Sequence, residues 1–112
     1  MQESCVFCRI ISGEFSSDVV YQDDDILVIK DITPVAPIHV LIIPKKHSKN
    51  ILETDSKTLS LIMDKITVIA EILGVKENGF RTVINTGEEA GQTVGHLHIH
   101  LLSGRNMTWP PG

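Results

Sequence analysis

The chain has 112 residues, 42% of them hydrophobic, and a formal net charge of −4. That composition predicts one domain with a real core, excludes disorder, and excludes attraction to nucleic acid or an anionic membrane by bulk charge, so a phosphate ligand would need a local site. No run approaches the roughly 20 apolar residues of a membrane span, and MQESCVFCRIISGE has neither a basic n-region nor a long apolar run, so a cytoplasmic, reducing location is expected.

In chain order, ESCVFCRIISGE reads as a short helix, with Ser4 as its N-cap and Gly13 as its stop. In a reducing compartment its Cys5 and Cys8 are expected as free thiols or half of a metal site, not a disulfide. DVVYQ and ILVIK are β-rich and flank Asp23 to Asp25, which predicts a hairpin with a solvated acidic turn. Pro34 and Pro37 force an extended loop before HVLIIP, a buried strand that ends at Pro44. From Asp55 to Leu73 apolar residues recur every three or four positions (Leu59, Ile62, Met63, Ile66, Ile69, Ala70, Leu73), which predicts one amphipathic helix capped by Thr54 or Asp55 and ended by Gly74. FRTVIN is a fourth strand, GEEAGQTVG a glycine-rich loop, and HLHIHLL a fifth strand. The tail GRNMTWPPG cannot extend it, because Pro110 and Pro111 have no N–H. Short connections then predict an α+β fold: a mainly antiparallel sheet of about five strands, one long helix and a short N-terminal one.

The fifth strand carries the chemistry. Side chains alternate along a strand, so Leu97, Ile99 and Leu101 would face the core, while His96, His98 and His100 form a row at roughly 6.5–7 Å spacing on the other face. The chain has five histidines, and three of them stand in this row. A solvated strand face is one reading. A zinc hydrolase with an open coordination position is a second, although the nearest acids in sequence are Glu88 and Glu89. The third is a nucleophile at phosphorus: neutral imidazole is a competent nucleophile, and a neighbouring histidine can carry the proton. Backbone N–H groups from Gly91 to Gly95 could form an anion-binding nest, with Gln92 and Thr93 adding side-chain hydrogen bonds.

DITPVAPIHVLIIPKKH, NTGEEAGQTVGH, HLHIHLL and the closing WPPG follow one another in the order of the histidine triad (HIT) superfamily. The chain resembles its Hint-like branch, the histidine triad nucleotide-binding (protein kinase C inhibitor-like) proteins, from about Cys5 to Gly112. The resemblance implies a single HIT domain over 1–112. It implies a hydrolase that cleaves purine nucleoside 5′-phosphoramidates and acyl-nucleotides through a covalent nucleotidyl-histidine, releasing the monophosphate. His98 would attack, His100 would steady the phosphate, His39 would orient the cluster, and Thr93 would hydrogen-bond the phosphate or leaving group. Asp31 would accept ribose hydroxyls and Ile32 would line the base pocket. Asn85, Gly91 and Gln92 would serve the nucleotide site, and Phe7 and Ile10 would pack on the base. Bland readings stand beside these: Asn85 as a turn residue, Asp31 as an Asx turn, Phe7 and Ile10 as core, His39 as a structural histidine.

The same resemblance implies a structural zinc on Cys5, Cys8, His47 and His96. CVFC alone is only half a site. A dinucleoside polyphosphate hydrolase of the Fhit type is the alternative enzyme, although LLSGR follows the triad where that branch tends to have a proline-arginine ending. A non-catalytic nucleotide- or protein-binding module is the alternative of another class. A homodimer through the long helix and FRTVIN is also implied, with Trp109 reaching the partner or packing on its own subunit.

Overall fold

The computed structural model describes residues 4–112. One five-stranded sheet organises them, in the order β1-β2-β3-β5-β4, with every neighbouring pair antiparallel. The strands are β1 (Val19–Gln22), β2 (Ile26–Lys30), β3 (Ile38–Pro44), β4 (Arg81–Val83) and β5 (Ile99–Ser103). The α+β architecture matches the expectation. The simple meander does not: β5 inserts between β3 and β4, because the long helix carries the chain across one face of the sheet before β4 forms. The fifth ladder also starts at Ile99, not at His96, and the fourth strand is shorter than FRTVIN.

The two central strands are apolar at successive positions because both their faces are covered. On one face Ile26, Val28, Val40, Ile42, Leu97, Ile99 and Leu101 form a core with Ile62, Ile69 and Ala70 of α2 (Ser56–Leu73). On the other, Leu27, Ile29, Leu41 and Ile43 pack with Cys5, Phe7 and Cys8 around α1 (Val6–Ile11). Alternation therefore assigns each side chain of β2 and β3 to one helix or the other.

Local chemistry sets the helix ends. Asp55 caps α2 through Oδ1, which accepts from the Thr58 N–H at 2.7 Å, and Gly74 ends it at φ 70°. Met63 sits at the flank of the predicted stripe, 47% exposed. The cap of α1 is Cys5, not Ser4: its Sγ accepts from the Cys8 N–H at 3.3 Å. The acidic turn is more than solvated. Asp23 accepts from the N–H groups of Asp25 and Ile26, from the Tyr21 hydroxyl, and from Lys65 of α2 at 2.9 Å. Burial alone would raise its carboxyl, but these donors hold it well below the usual range, so it is an ionised clasp between hairpin and helix.

The extended loop before β3 is braced from the tail. Arg105 Nε donates to the Val35 carbonyl at 3.0 Å, and Gly104, at φ 94°, lies so close to Pro37 that an added Cβ would meet its ring at 2.9 Å. No described helix is long and apolar enough to cross a membrane.

Candidate active site and metal centre

Strand register brings the histidines together. Leu41 of β3 lies opposite His100 of β5, and His39, two residues before Leu41, shares their face. All three triad side chains leave the α2 core, as alternation predicts, but not into solvent. His96 is fully buried and His98 is 8% exposed, because α1 and the glycine-rich loop cover that face. Phe7 stands edge-on to both, with ring centroids 5.9 Å from His96 and 5.1 Å from His98.

Hydrogen bonds to the backbone assign each imidazole its proton. His98 Nδ1 lies 2.8 Å from the His96 carbonyl, which can only accept, so Nδ1 carries the proton and Nε2 keeps its lone pair. His96 Nε2 lies 2.8 Å from the Pro44 carbonyl, so its free lone pair is on Nδ1. His39 is the reverse case. The Val35 N–H donates to its Nδ1 at 3.1 Å, so the proton of the neutral ring sits on Nε2, 2.9 Å from His100 Nδ1 and 3.3 Å from Asp31 Oδ2. His100 therefore accepts at Nδ1 and presents an Nε2–H. Asp31 is itself fixed by the Thr33 N–H at 2.8 Å, which realises the Asx-type turn without excluding a ligand role.

These tautomers separate two clusters of metal-ligating groups. The Nδ1 lone pair of His96 faces Cys5 Sγ at 3.3 Å, Cys8 Sγ at 3.6 Å and His47 Nδ1 at 3.0 Å, and Cys8 Sγ lies 3.3 Å from His47 Nδ1. With Zn–N near ~2.0–2.1 Å and Zn–S near ~2.3 Å, a tetrahedral ion would separate its ligands by about 3.3 Å (N to N) and about 3.6 Å (N to S). The four groups already stand close to that arrangement. The Pro44 carbonyl also supplies the acceptor that a metal-binding imidazole uses on its other nitrogen. Burial lowers His96, which keeps its Nδ1 unprotonated and free to ligate, and raises the Cys5 thiol, which would have to give up its proton to an incoming ion. A divalent ion held there would have four protein ligands and no open position, and would stabilise the fold. The second cluster, Asp31, His39 and His100, lies as close together. It suits a metal poorly, because the Val35 N–H occupies the nitrogen that should donate outward. The His39 Nε2–H instead faces two acceptors, His100 Nδ1 and Asp31 Oδ2.

Beside His98 and His100 opens a cavity of about 410 Å³. Val6, Phe7, Ile10, Ile29, Ile32, Leu41 and Val94 give it apolar walls, and Lys30, Asp31, Asn85, Gly91 and Thr93 join the two histidines in its polar lining. An aromatic base and a phosphate have opposite needs, and this cavity offers both.

A comparison with protein family models matches the HIT domain over residues 12–107. The chain belongs to the HIT family. A HIT family hydrolase from Legionella pneumophila superposes with a TM-score of 0.93 at 46% identity, covering 97% of this chain and all of that one. A histidine triad nucleotide-binding protein from Candida albicans gives 0.84 at 34% identity, over 96% of this chain and 83% of that one. A protein of Brassica juncea named 14 kDa zinc-binding protein is 40% identical over 112 residues, 96% of this chain and 98% of its own length. The HIT match begins after α1, so Cys5 and Cys8 precede it.

Within this HIT chain, Phe7, Ile10, Asp31, Ile32, Asn85, Gly91, Thr93, His98 and His100 line one cavity, with His39 behind His100. Gln92 turns away: its Oε1 accepts from the Gly87 N–H, and its Nε2 donates to the carbonyls of Lys49 and Val94. The Gly91 and Gln92 N–H groups close the loop's own turn on Glu88 and Gly87, so the anion nest reduces to Thr93, Val94 and Gly95. Val6, Ile29, Leu41 and Val94 were not singled out from the sequence. The unbroken apolar runs of β2 and β3 were the signal for Ile29 and Leu41, since they declare a second covered face.

Burial, then His98 and His39, push His100 below the ordinary imidazole value, against a smaller pull from Asp31. A base with a depressed folded pKa binds fewer protons folded than unfolded, so stability falls as pH drops below about 6.5. Urea unfolding at pH 7.5 and pH 5 should show that loss in the wild type and a smaller one in His100→Gln.

Proposed function

We propose that this protein hydrolyses purine nucleoside 5′-phosphoramidates and acyl-nucleotides, releasing the nucleoside monophosphate. The observation that carries this reading is the fixed tautomer of His98, whose unprotonated Nε2 stands beside a cavity with both apolar and polar walls. In the first step His98 Nε2 forms a bond to the α-phosphorus while the phosphorus–nitrogen bond (phosphorus–oxygen in an acyl-nucleotide) breaks, and the amine leaves with a proton drawn from solvent, which the attacking water returns in the second step. In the second, water attacks phosphorus, the histidine–phosphorus bond breaks, and the monophosphate departs. Two displacements replace one difficult one.

The surrounding groups suit this path. As the Nε2–P bond forms, His98 becomes cationic, and the His96 carbonyl holds its Nδ1–H. The His100 Nε2–H and the free N–H groups beside Thr93 are donors for phosphate oxygens. His39 supports His100 through its Nε2–H. Asp31 stands where ribose hydroxyls could donate to it, and Phe7, Ile10 and Ile32 would cover the base. His98→Ala should lower release of AMP from adenosine 5′-phosphoramidate by at least about 10³-fold with an unchanged circular dichroism spectrum. Full activity in that variant would end the nucleophile assignment. Faster turnover of a dinucleoside polyphosphate would favour the Fhit-type reading, and binding of AMP without turnover of either substrate a non-catalytic module.

We also assign a structural zinc to Cys5, Cys8, His47 and His96. One zinc per chain should be retained on purification in chelator-free buffer, and Cys8→Ser should lose it with a fall in melting temperature, read by metal analysis and thermal unfolding.

A homodimer through β4 and α2 fits the same reading. β4 is an edge strand, Phe80 just before it is exposed, and Met63, Val68 and Ile72 of α2 are exposed apolar side chains. Arg81 Nη2 donates to the Thr108 carbonyl, which tethers the tail beside that edge, and Trp109 is 83% exposed, so it does not pack on its own subunit. Size-exclusion chromatography with light scattering should give about twice the 12.4 kDa chain mass; a single species at the chain mass would refute the dimer.

A further inference from the structure

A second cavity, about 460 Å³, meets the first along Val6, Thr93 and Val94, which line both. Its other walls are Ser4, Cys5, His47, Lys49 and Gly95. The cavities around Asp24 and around Asn78 share no lining residue with the active-site cavity. The two joined cavities differ in character. The first is lined chiefly by aliphatic side chains and Phe7 and includes Lys30, which pairs with Asp18, whereas the second mixes apolar and polar walls and has Lys49 as its one lysine or arginine.

Lys49 is held in place although its side chain is exposed. Its carbonyl accepts from Gln92 Nε2 at 2.7 Å, and the carbonyl of Ser48 accepts from the Leu97 N–H at 2.8 Å. These two bonds clamp the 48–49 segment to the loop that carries Thr93. Among the described residues Lys49 forms no ion pair, whereas Lys30, Lys46 and Lys65 each do. The wall formed by Cys5 and His47 would add no net charge with its metal in place, because two thiolates balance a divalent ion. An ammonium group with no ion-pair partner among the described residues, in a protein of net charge −4, thus lines the same cavity as the threonine at the junction.

We infer that this second cavity receives the leaving group, and that Lys49 selects leaving groups that carry an anion, such as an amine bearing a carboxylate. The inference rests on the phosphoramidate reading above. With the base in the apolar cavity and the phosphate beside His98 and Thr93, the departing amine lies across the Thr93 rim. A carboxylate on that amine would meet Lys49 there. Attraction to an exposed ammonium is modest and screened by salt, so the expected preference is severalfold and is largest at low ionic strength.

The test uses two adenosine 5′-phosphoramidates that differ only in charge: one made from β-alanine and one from β-alanine amide. Wild type should show a kcat/KM about fivefold higher for the carboxylate substrate in low salt. Lys49→Glu should reverse that preference, and Lys49→Arg should keep it, while turnover of the neutral substrate changes less than about twofold in both. Equal turnover of the two substrates by the wild type would overturn the inference and leave the phosphoramidate reading standing. An equal loss on both substrates in Lys49→Glu would reduce Lys49 to a structural role and overturn it too. No turnover of either by the wild type would defeat the phosphoramidate reading itself, and the leaving-group assignment with it.

Discussion

The carbonyl of His96 holds this site together. It accepts the Nδ1–H of His98 at 2.8 Å, which keeps that ring's lone pair on Nε2. The same residue's side chain points at Cys5, Cys8 and His47, and its Nε2–H is held by the Pro44 carbonyl. One residue therefore joins three things: the end of β3, the metal-ligating cluster and the reactive imidazole. A shift of the backbone at His96 would disturb all three at once.

The cluster matters for the cavity as well as for stability. Helix α1 has six residues, too few to be stable alone. It is held by Phe7 against the sheet and by two cysteines whose sulfurs converge on the histidines. Val6, Phe7 and Ile10 are the side chains with which this helix walls the active-site cavity. Fixing the cysteines thus fixes that wall, so an ion held there would shape the cavity through packing.

Two groups of the same residue types, a few residues apart, are suited to different tasks by their backbone partners. A carbonyl opposite His96 frees its other nitrogen for a metal, whereas an N–H opposite His39 puts the proton between His39 and His100. The glycine-rich loop is shaped by similar local constraints. Gln92 uses its amide to close the loop, and so the backbone donors left open there belong to its neighbours. Lys49, two positions after His47, is held at the wall of the second cavity by the same amide.

By itself the sequence determined the parity of the histidine row, the caps at Asp55 and Gly74, the hairpin at Asp23–Asp25 and the family, because period-2 alternation, capping and motif order are local and written in consecutive residues. It also paired the four metal-ligating side chains through the family resemblance. Only the tertiary structure decided that β5 lies between β3 and β4, that the row is buried under α1 and not solvated, and that Cys5, not Ser4, caps that helix. The tautomers belong to the same class. They depend on whether a carbonyl or an N–H from a distant or adjacent loop meets each ring, and strand register and loop closure set that after the chain has folded.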